Sequence, residues 1–278
     1  MIMHIIIHRG MRSIKKWNYE RRKQVLRSLI MSGVMVLVAA GTTFAAHPLI
    51  TDDTGTQGKG NFQLEIVGEY EHENKDGVAK DSVVVPTIPV LSYGITDSSD
   101  IVLGISYQHI RTSDSSKTTT ADGLSDTSVE LKWRFYDKGG LSFALKPGIN
   151  LPTGNDEKGL GAGKITYCLF FIATKEIKPW AFHLNLGYIR NENKINERND
   201  IWHASLAGEA EVVKKLKAVA NVGIERDHDK ASNRNPGFIL GGLIYSISEN
   251  LDIDIGIKEG IHNRGNDYSI PAGITWRF

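Results

Sequence analysis

The sequence feature that most limits the possible folds is a two-residue alternation of apolar and polar residues that begins after Gly60 and runs to the C-terminus. Between Leu251 and Lys258, for example, four aliphatic residues alternate with Asp, Asp, Gly and Lys. Successive side chains of a strand point to opposite faces, so each such segment has one apolar and one polar face. The 3.6-residue period of an amphipathic helix is not seen after Gly60. The sequence therefore predicts an all-β fold.

About twelve alternating segments follow one another, each long enough to cross a bilayer when tilted. They begin near Asn61, Ser82, Asp100, Asp126, Leu141, Lys164, Trp180, Asp200, Leu216, Gly237, Leu251 and Tyr268. Long polar connections (73–80, 111–125, 151–163, 191–198, 227–236 and 262–267) alternate with tight turns (96–99, 137–140, 176–179, 213–215 and 248–250). Short turns at one end and long loops at the other are typical of bacterial outer-membrane barrels. We expect a transmembrane, antiparallel, up-and-down β-barrel of about 12 strands over residues 61–278.

A soluble β-sandwich is the main structural alternative, because its strands also alternate. Aromatic residues at strand ends favour the barrel, since they resemble the interfacial girdles of membrane barrels. They are Tyr70, Tyr93, Tyr107, Tyr136, Trp180, Tyr188, Trp202, Tyr245, Tyr268 and Trp276. The last strand resembles the terminal signal that the barrel-assembly machinery recognises, with Gly273, Trp276 and Phe278 as the residues that carry it. Pro271 departs from that pattern, which prefers a polar residue there.

The N-terminal region has the organisation of an export signal. Residues 1–45 carry eight basic residues and one acidic residue, and an apolar stretch, Leu29–Ala40, follows the basic part. Small residues precede Ala46, so we expect cleavage after Ala45. An uncleaved anchor helix is the alternative, but the apolar stretch is short for a membrane span. We therefore expect a cleaved signal peptide (1–45), a short periplasmic segment (46–60), export by the Sec route and a location in the Gram-negative outer membrane.

Composition excludes several classes of protein. Apolar residues make up 41% of the chain, too few and too scattered for a bundle of transmembrane helices. The single Cys168 allows neither an intramolecular disulfide nor a zinc cluster. After Ala45 the chain has 25 basic and 31 acidic residues, a net charge of −6 that argues against nucleic-acid binding.

Short motifs spread along the chain resemble those of one known family. They are His47–Gly58 with Gln63–Glu65, Ser92–Asp97, Gly123–Asp126 with Leu131–Trp133, Leu151–Asn155, Gly159–Gly163 and His183–Tyr188. In these motifs the chain resembles the outer-membrane family named after the MetA pathway of phenol degradation. The resemblance implies a barrel that transports small molecules, and the family's name suggests aromatic compounds.

The polar face of the strands is expected to line the barrel interior, and its charged and polar residues are the candidate solute path. They are Glu65, Glu69, Glu130, Lys132, Arg134, Lys146, His183, Asn185, His203, Glu209, Lys217, Asp252, Asp254, Lys258 and Arg277. A lumen with charges of both signs fits either a water-filled passage or a closed interior in which the charges pair. We expect passive passage of small molecules, and keep a plugged structural or adhesive barrel as the alternative. The expected partners are the solute, outer-membrane lipid and lipopolysaccharide, with periplasmic chaperones and the assembly machinery during biogenesis.

Three further features leave alternatives open. Segment Ser82–Tyr93 is apolar on both faces and contains Pro86 and Pro89, which predicts either an apolar lumen patch or a bulged strand under an inward loop. The Gly-rich connection 151–163 is expected either to fold into the barrel mouth or to stay outside. Asp52–Asp53 lacks further oxygen ligands, so we assign no metal.

A lipid hydrolase is the second functional alternative. His183, Asn185, His203 and Ser205 fall on the same face of neighbouring predicted strands, and the hairpin register would place Asn185 near Ser205. That face is expected to line the lumen, away from lipid, and no oxyanion-hole donor or distinctive motif is visible. We assign no catalytic residue and no cofactor.

Overall fold

The computed structural model describes residues 47–75, 78–113, 118–261 and 268–278, with the side chains of 73–89, 106 and 112–113 left out. The predicted signal peptide lies outside the described residues. The strands are β1 (Phe62–Lys75), β2 (Val78–Thr96), β3 (Ser99–Ser113), β4 (Thr118–Leu124), β5 (Thr127–Lys138), β6 (Leu141–Leu151), β7 (Thr166–Ile177), β8 (Trp180–Arg190), β9 (Asp200–Val213), β10 (Leu216–Glu225), β11 (Gly237–Ser246), β12 (Leu251–Ile261) and β13 (Tyr268–Arg277). A single 3₁₀ turn, Asp156–Lys158, is the one helical element in the described part of the chain. Within those residues no helix is long and apolar enough to cross a membrane.

The strands form one antiparallel sheet that closes on itself. Closure comes from pairing of the first strand with the last, with Gln63 opposite Arg277 and His72 opposite Tyr268. Strands β4 and β5 both pair with β3, β4 along its second half and β5 along its first half. They therefore occupy one position in the wall, and the barrel has twelve strand positions. The prediction of a twelve-stranded up-and-down barrel is confirmed.

Two connections are shorter than the sequence predicted. The first hairpin continues to the pair Lys75–Val78, where we expected a loop over 73–80. Strand β4 occupies part of the region 111–125, which we also expected to be a loop. Where a hairpin extends beyond the lipid, both of its faces can contact water, so apolar and polar residues need not alternate there. A polar stretch of sequence therefore does not mark the end of a strand. Within β2, the ladder with β3 is irregular between Val85 and Leu91, where Pro86 and Pro89 interrupt it.

The outer surface of the barrel is apolar and its inner surface is polar. Aliphatic side chains on β12 face outward and stay exposed, with Ile257 at 63%. Outward-facing rings lie toward both ends of the strands, such as Trp202 toward the long loops and Trp180 toward the short turns. A water-soluble sandwich would bury these side chains. A closed sheet with an apolar exterior is the structure in which a β protein satisfies its backbone hydrogen bonds inside a bilayer.

The segment before β1, which we call the N-terminal segment (residues 47–60), lies inside the barrel for much of its length. The short periplasmic segment expected over 46–60 stays a prediction. Leu49 is 2% exposed and packs against Leu240 and other inward-facing residues of β9, β10 and β11. A short polar segment can be buried here because the inward faces of the strands offer hydrogen-bond partners.

Candidate functional site: the barrel lumen

All fifteen residues predicted to line the lumen lie on the inward side of their strands. Eight are buried: Glu65, Glu130, Lys132, Lys146, His183, Asn185, Asp254 and Lys258. Seven are partly buried: Glu69, Arg134, His203, Glu209, Lys217, Asp252 and Arg277. Many of these charges pair with one another, as in Lys258–Glu69 at 2.8 Å and Arg277–Asp252 at 2.7 Å. In the described structure the lumen is therefore lined by paired charges of both signs.

Asp52 of the N-terminal segment connects to two lysines of the wall. Its Oδ1 accepts a hydrogen bond from Lys132 Nζ at 2.8 Å, and its Oδ2 accepts one from Lys146 Nζ at 2.9 Å. Lys146 also pairs with Glu130, at 3.0 Å. Burial alone would raise the pKa of the Asp52 carboxyl, but the charges and hydrogen bonds of the two lysines outweigh it and hold that pKa at about 2. Asp52 is therefore an ionised anchor at the centre of the barrel.

Hydrogen bonds from several strands hold the rest of the segment. The Asp52 backbone exchanges two hydrogen bonds with the Asn185 side chain, at 2.7 and 2.8 Å. The backbone N–H groups of Ile50 and Thr51 donate to Asn221 Oδ1, at 2.8 and 3.0 Å. The Thr54 N–H donates to Thr174 Oγ1 at 3.1 Å. These partners lie on β7, β8 and β10, and the two lysines bound by Asp52 lie on β5 and β6, so inward-facing residues of five strands hold the segment.

Inward-facing glycines make room for the segment. A Cβ on Gly94 would lie 1.8 Å from the carbonyl oxygen of Gly58, and one on Gly242 would lie 2.6 Å from Pro48. On β13, a Cβ on Gly273 would lie 2.7 Å from a ring nitrogen of His47, which pairs with Asp254. Gly273 was predicted to belong to an assembly signal, and in the structure it is also one of the positions that accommodate the segment.

The insertion was not foreseen, although the sequence contains signals for it. Lys132 and Lys146 face the lumen on adjacent strands, and Asp52 is the first charged residue of a segment without a strand pattern. Inward positions occupied by glycine, such as Gly242 and Gly256, indicate space for another part of the chain. The distance across a barrel between these residues is not visible in a linear sequence.

One sector of the lumen wall is apolar. Its inward-facing residues on β6, β7, β8 and β9 are Ala144, Phe170, Ile172, Ile189 and Ile201, with Cys168 packed against them. The apolar patch that the sequence suggested, Ser82–Tyr93, falls largely on side chains outside the described set. The described apolar sector thus lies elsewhere in the wall, across strands that follow the strict alternation.

The connection 151–163 folds into the mouth of the barrel. Leu160 is fully buried and packs against Ile110 and Ala121, which face inward on β3 and β4. The Asp126 carboxylate accepts hydrogen bonds from the N–H groups of Gly154 at 2.9 Å and Ala162 at 2.8 Å. Of the two alternatives for this loop, the inward one is correct.

The two loops after β8 and β10 are fastened to each other. Arg198 donates to the backbone carbonyls of Asp227 at 2.9 Å and Ser232 at 3.0 Å, among others. Glu197 is 4% exposed, and burial raises the pKa of its carboxyl to about 7 against the opposing effects of an Asn191 hydrogen bond and nearby positive charges. The loops therefore form a single cover at this side of the mouth.

Two of the residues considered for catalysis, His203 and Ser205, are hydrogen-bonded to each other on the lumen wall. Asn185 is the register partner of Ser205, as predicted. Ser205 Oγ lies 2.9 Å from His203 Nε2, and His203 Nδ1 lies 3.1 Å from Glu225 Oε2. Ser205 is only 4% exposed and Asn185 is bonded to Asp52, so both residues are buried at the lumen wall.

The closed twelve-stranded barrel, with an apolar exterior and a polar lumen, defines this chain as an outer-membrane β-barrel protein. A family model described as "Putative MetA-pathway of phenol degradation" matches residues 45–278. The chain belongs to that family. No curated protein sequence gives a significant match.

Several solved structures resemble this chain. An outer membrane channel from Pseudomonas putida F1 matches with a TM-score of 0.63 and 12% identity, over 81% of this chain and 98% of that one. The NanC porin matches with a TM-score of 0.49 and 10% identity, over 77% and 98% of the two chains. The CymD monoaromatic hydrocarbon channel matches with a TM-score of 0.45 and 8% identity, over 79% and 88%. At these identities the first match shows a shared fold.

Proposed function

We propose that this protein is a passive outer-membrane channel for small molecules, without a catalytic role. The observation that carries the proposal is the inverted distribution of polarity in a closed barrel, with charged side chains facing a lumen that runs from the short turns to the long loops. Polar lumens of this kind are used for passage across outer membranes. The matched Pseudomonas putida F1 structure, which is named an outer membrane channel, supports the same function.

The lumen-lining residues give the proposed solute path two chemically different walls. Charged residues such as Glu65, Glu130 and Lys146 face the lumen on β1, β5 and β6. The apolar sector around Phe170 and Ile201 faces it from β6 to β9. A path with one apolar wall would suit aromatic or apolar compounds that carry a polar group, which agrees with the phenol-degradation name of the family.

Passage requires the N-terminal segment to move or to leave a narrow gap beside it. The test is single-channel conductance of the refolded mature chain in a planar bilayer, with and without deletion of residues 47–58. A folded, heat-modifiable barrel that does not conduct in either form would refute the channel proposal. It would favour a plugged scaffold, the alternative supported by the complete burial of Asn185 and Lys146 at the lumen centre.

For biogenesis, we propose cleavage after Ala45, Sec export and insertion by the barrel-assembly machinery with the help of periplasmic chaperones. Support for the terminal signal comes from barrel closure. Phe278 and Phe62 exchange backbone hydrogen bonds at 2.7 and 3.0 Å, and their rings stack at 5.6 Å. Trp276 and Phe278 face outward at the short-turn end, where they would contact outer-membrane lipid. Lipopolysaccharide would contact outward-facing residues toward the long loops, such as Trp202. Loss of heat-modifiable barrel in cells after deletion of Phe278 is the expected result.

A hydrolase is a second candidate because of the Ser205–His203–Glu225 series. Its hydrogen-bond lengths are those of a serine-hydrolase triad, but Ser205 is buried and faces away from lipid. We therefore expect no phospholipid or ester hydrolysis above that of a Ser205→Ala variant. Hydrolysis that disappears in that variant would revive this candidate.

A further inference from the structure

Two buried lysines of the lumen wall hold one carboxylate between them. Lys132 Nζ donates to Asp52 Oδ1 at 2.8 Å, and Lys146 Nζ donates to Asp52 Oδ2 at 2.9 Å, so each oxygen has its own ammonium donor. The lysines are 8% and 2% exposed and lie on adjacent strands, β5 and β6. Hydrogen bonds between ionised groups are stronger than those between neutral groups. The wall alone therefore supplies both donors that a carboxylate needs.

The hydrogen-bond and ion-pair contacts described for Lys132 are all with the N-terminal segment. Besides its contact with Asp52, its Nζ lies 3.8 Å from Asp53 and donates to the carbonyl oxygen of Gly55 at 3.2 Å. A buried ammonium group that loses its partner is costly. Departure of the segment therefore costs least when another anion takes its place beside Lys132.

The carboxylates of the wall in this cluster have other contacts. Glu130 pairs with Lys146 at 3.0 Å. Glu65 accepts a hydrogen bond from the Gln63 side chain. In the described structure the carboxylate that contacts both lysines thus comes from the segment, and not from the wall.

An apolar surface begins next to the two lysines, beneath the N-terminal segment. The inward-facing residues of β6 are, in succession, Ser142, Ala144 and Lys146. Thr54 of the segment contacts the first of these side chains, and Asp52 contacts the last. The segment therefore passes over Ala144, which is fully buried.

The apolar surface continues onto β7. Ile172 is the register partner of Ala144, and Phe170 is the register partner of Lys146. These two side chains face the lumen and are 0% and 3% exposed. Binding sites for small molecules commonly combine an apolar surface with a few polar groups that fix orientation. A solute whose carboxylate replaced that of Asp52 would place an apolar body of ring size against these side chains.

We propose that Lys132 and Lys146 form the solute-binding site of the channel, and that carboxylate solutes with an apolar body bind there by displacing Asp52. The exchange replaces one carboxylate by another, so the charge around the lysines is conserved. Because the two occupants exclude each other, solute binding and release of the segment promote one another by the same factor. This inference rests on the proposed channel function and names its solute class.

The test is the affinity of the refolded mature chain for benzoate, measured by a ligand-observed NMR titration in detergent. We expect Asp52→Asn to bind benzoate at least about tenfold more tightly than the wild type, because apparent affinity scales with the fraction of protein whose site is free. Asp53→Asn removes a neighbouring charge without vacating the lysine pair and should change the affinity less than about fivefold. Absent or unchanged binding in Asp52→Asn, or an equal gain in Asp53→Asn, would overturn the inference.

Two comparisons in the Asp52→Asn protein identify the groups that are recognised. Benzamide has the same ring without the charge, and acetate has the same charge without the ring, so each should bind at least about tenfold more weakly than benzoate. Addition of Lys132→Gln should abolish the gain in benzoate affinity. Equal binding of benzamide, or a gain that survives Lys132→Gln, would overturn the inference, and the benzamide comparison decides it if the double variant does not fold.

Conductance in a planar bilayer separates this inference from the channel proposal. A protein that binds benzoate as expected but does not conduct would support the binding site and refute the channel. A protein that conducts, but whose Asp52→Asn form does not bind benzoate, would support the channel and refute the binding site.

Discussion

Neutralising Asp52 should release the N-terminal segment from the lumen, because this carboxylate binds two buried ammonium groups at once. In Asp52→Asn, Lys132 loses its 2.8 Å contact and Lys146 its 2.9 Å contact, while the shape of the side chain is nearly unchanged. Both lysines stay in the wall with less compensation. Asp53→Asn is the matched control, since Asp53 lies farther from Lys132, at 3.8 Å, and is partly exposed.

The magnitude follows from the ion pairs. The difference between the ordinary pKa of 3.8 and the Asp52 pKa of about 2 corresponds to about 2 kcal/mol, and removal of one partner of a buried pair typically costs about 3–5 kcal/mol. A loss of about 2–5 kcal/mol raises the population of the released segment by a factor of about 30 to several thousand. Because the pKa is lowered, this stabilisation is present above pH 3.8 and is lost as pH falls through about 2. The Asp53 control should change that population less than about fivefold.

The assay is the rate at which a thiol in the segment reacts with a water-soluble maleimide. Thr54 is 3% exposed, so Thr54→Cys in a Cys168→Ala background should be protected until the segment leaves the wall. When release is fast relative to labelling, the rate reports the released population. Equal labelling rates in Asp52→Asn and in its parent would refute the anchoring role, as would an equally large effect of Asp53→Asn.

Three further predictions concern the packing of the segment and the loops. Gly94→Ala places a Cβ 1.8 Å from the Gly58 carbonyl oxygen and should destabilise the barrel by about 1–3 kcal/mol in urea unfolding, whereas the control Gly241→Ala, whose Cβ would have no atom within 4 Å, should not. Equal urea midpoints for the two variants would contradict the close approach of Gly58 to Gly94. Because the pKa of Glu197 is raised, its contribution to loop stability is present below pH 4.5 and is lost as pH rises through about 7. Hydrogen-exchange protection of the amides in the loop after β8 should therefore fall between about pH 5 and about pH 8 in the wild type and stay level in Glu197→Gln. Arg198→Lys removes a guanidinium that donates to four backbone carbonyls, so the loop after β10 should be cut faster by a non-specific protease; an unchanged cleavage rate would show that other contacts hold it.

The fold was predictable because a strand has a two-residue period wherever its two faces meet different solvents. The alternation in 251–258 corresponds to β12, with Ile253 and Ile255 outward and Asp254 inward. The positions of the twelve wall segments followed from it. In Thr118–Leu124 the sequence TTTADGL has no apolar–polar period, and the strand was not predicted.

The lining of the site was also predictable, but its contents were not. Alternation placed Lys132, Lys146 and Asn185 on the face expected to line the lumen, and their side chains are buried in the structure. The same pattern could not indicate that Asp52 occupies the space between them. Sequence spacing predicts which residues are spatial neighbours only within one strand or within two strands joined by a short turn.

The sequence by itself determined which residues face lipid and which face the lumen, because that choice depends on local alternation between two solvents. The tertiary structure alone decided that the N-terminal segment lies in the lumen, because closure of the barrel brings Lys132, Asn185 and Asn221, which are far apart in the chain, into contact with it. It also decided which charges are compensated. Asp52 takes both lysines, and Glu65 keeps a buried oxygen without a partner among the described residues, a difference set by distances between strands far apart in the chain.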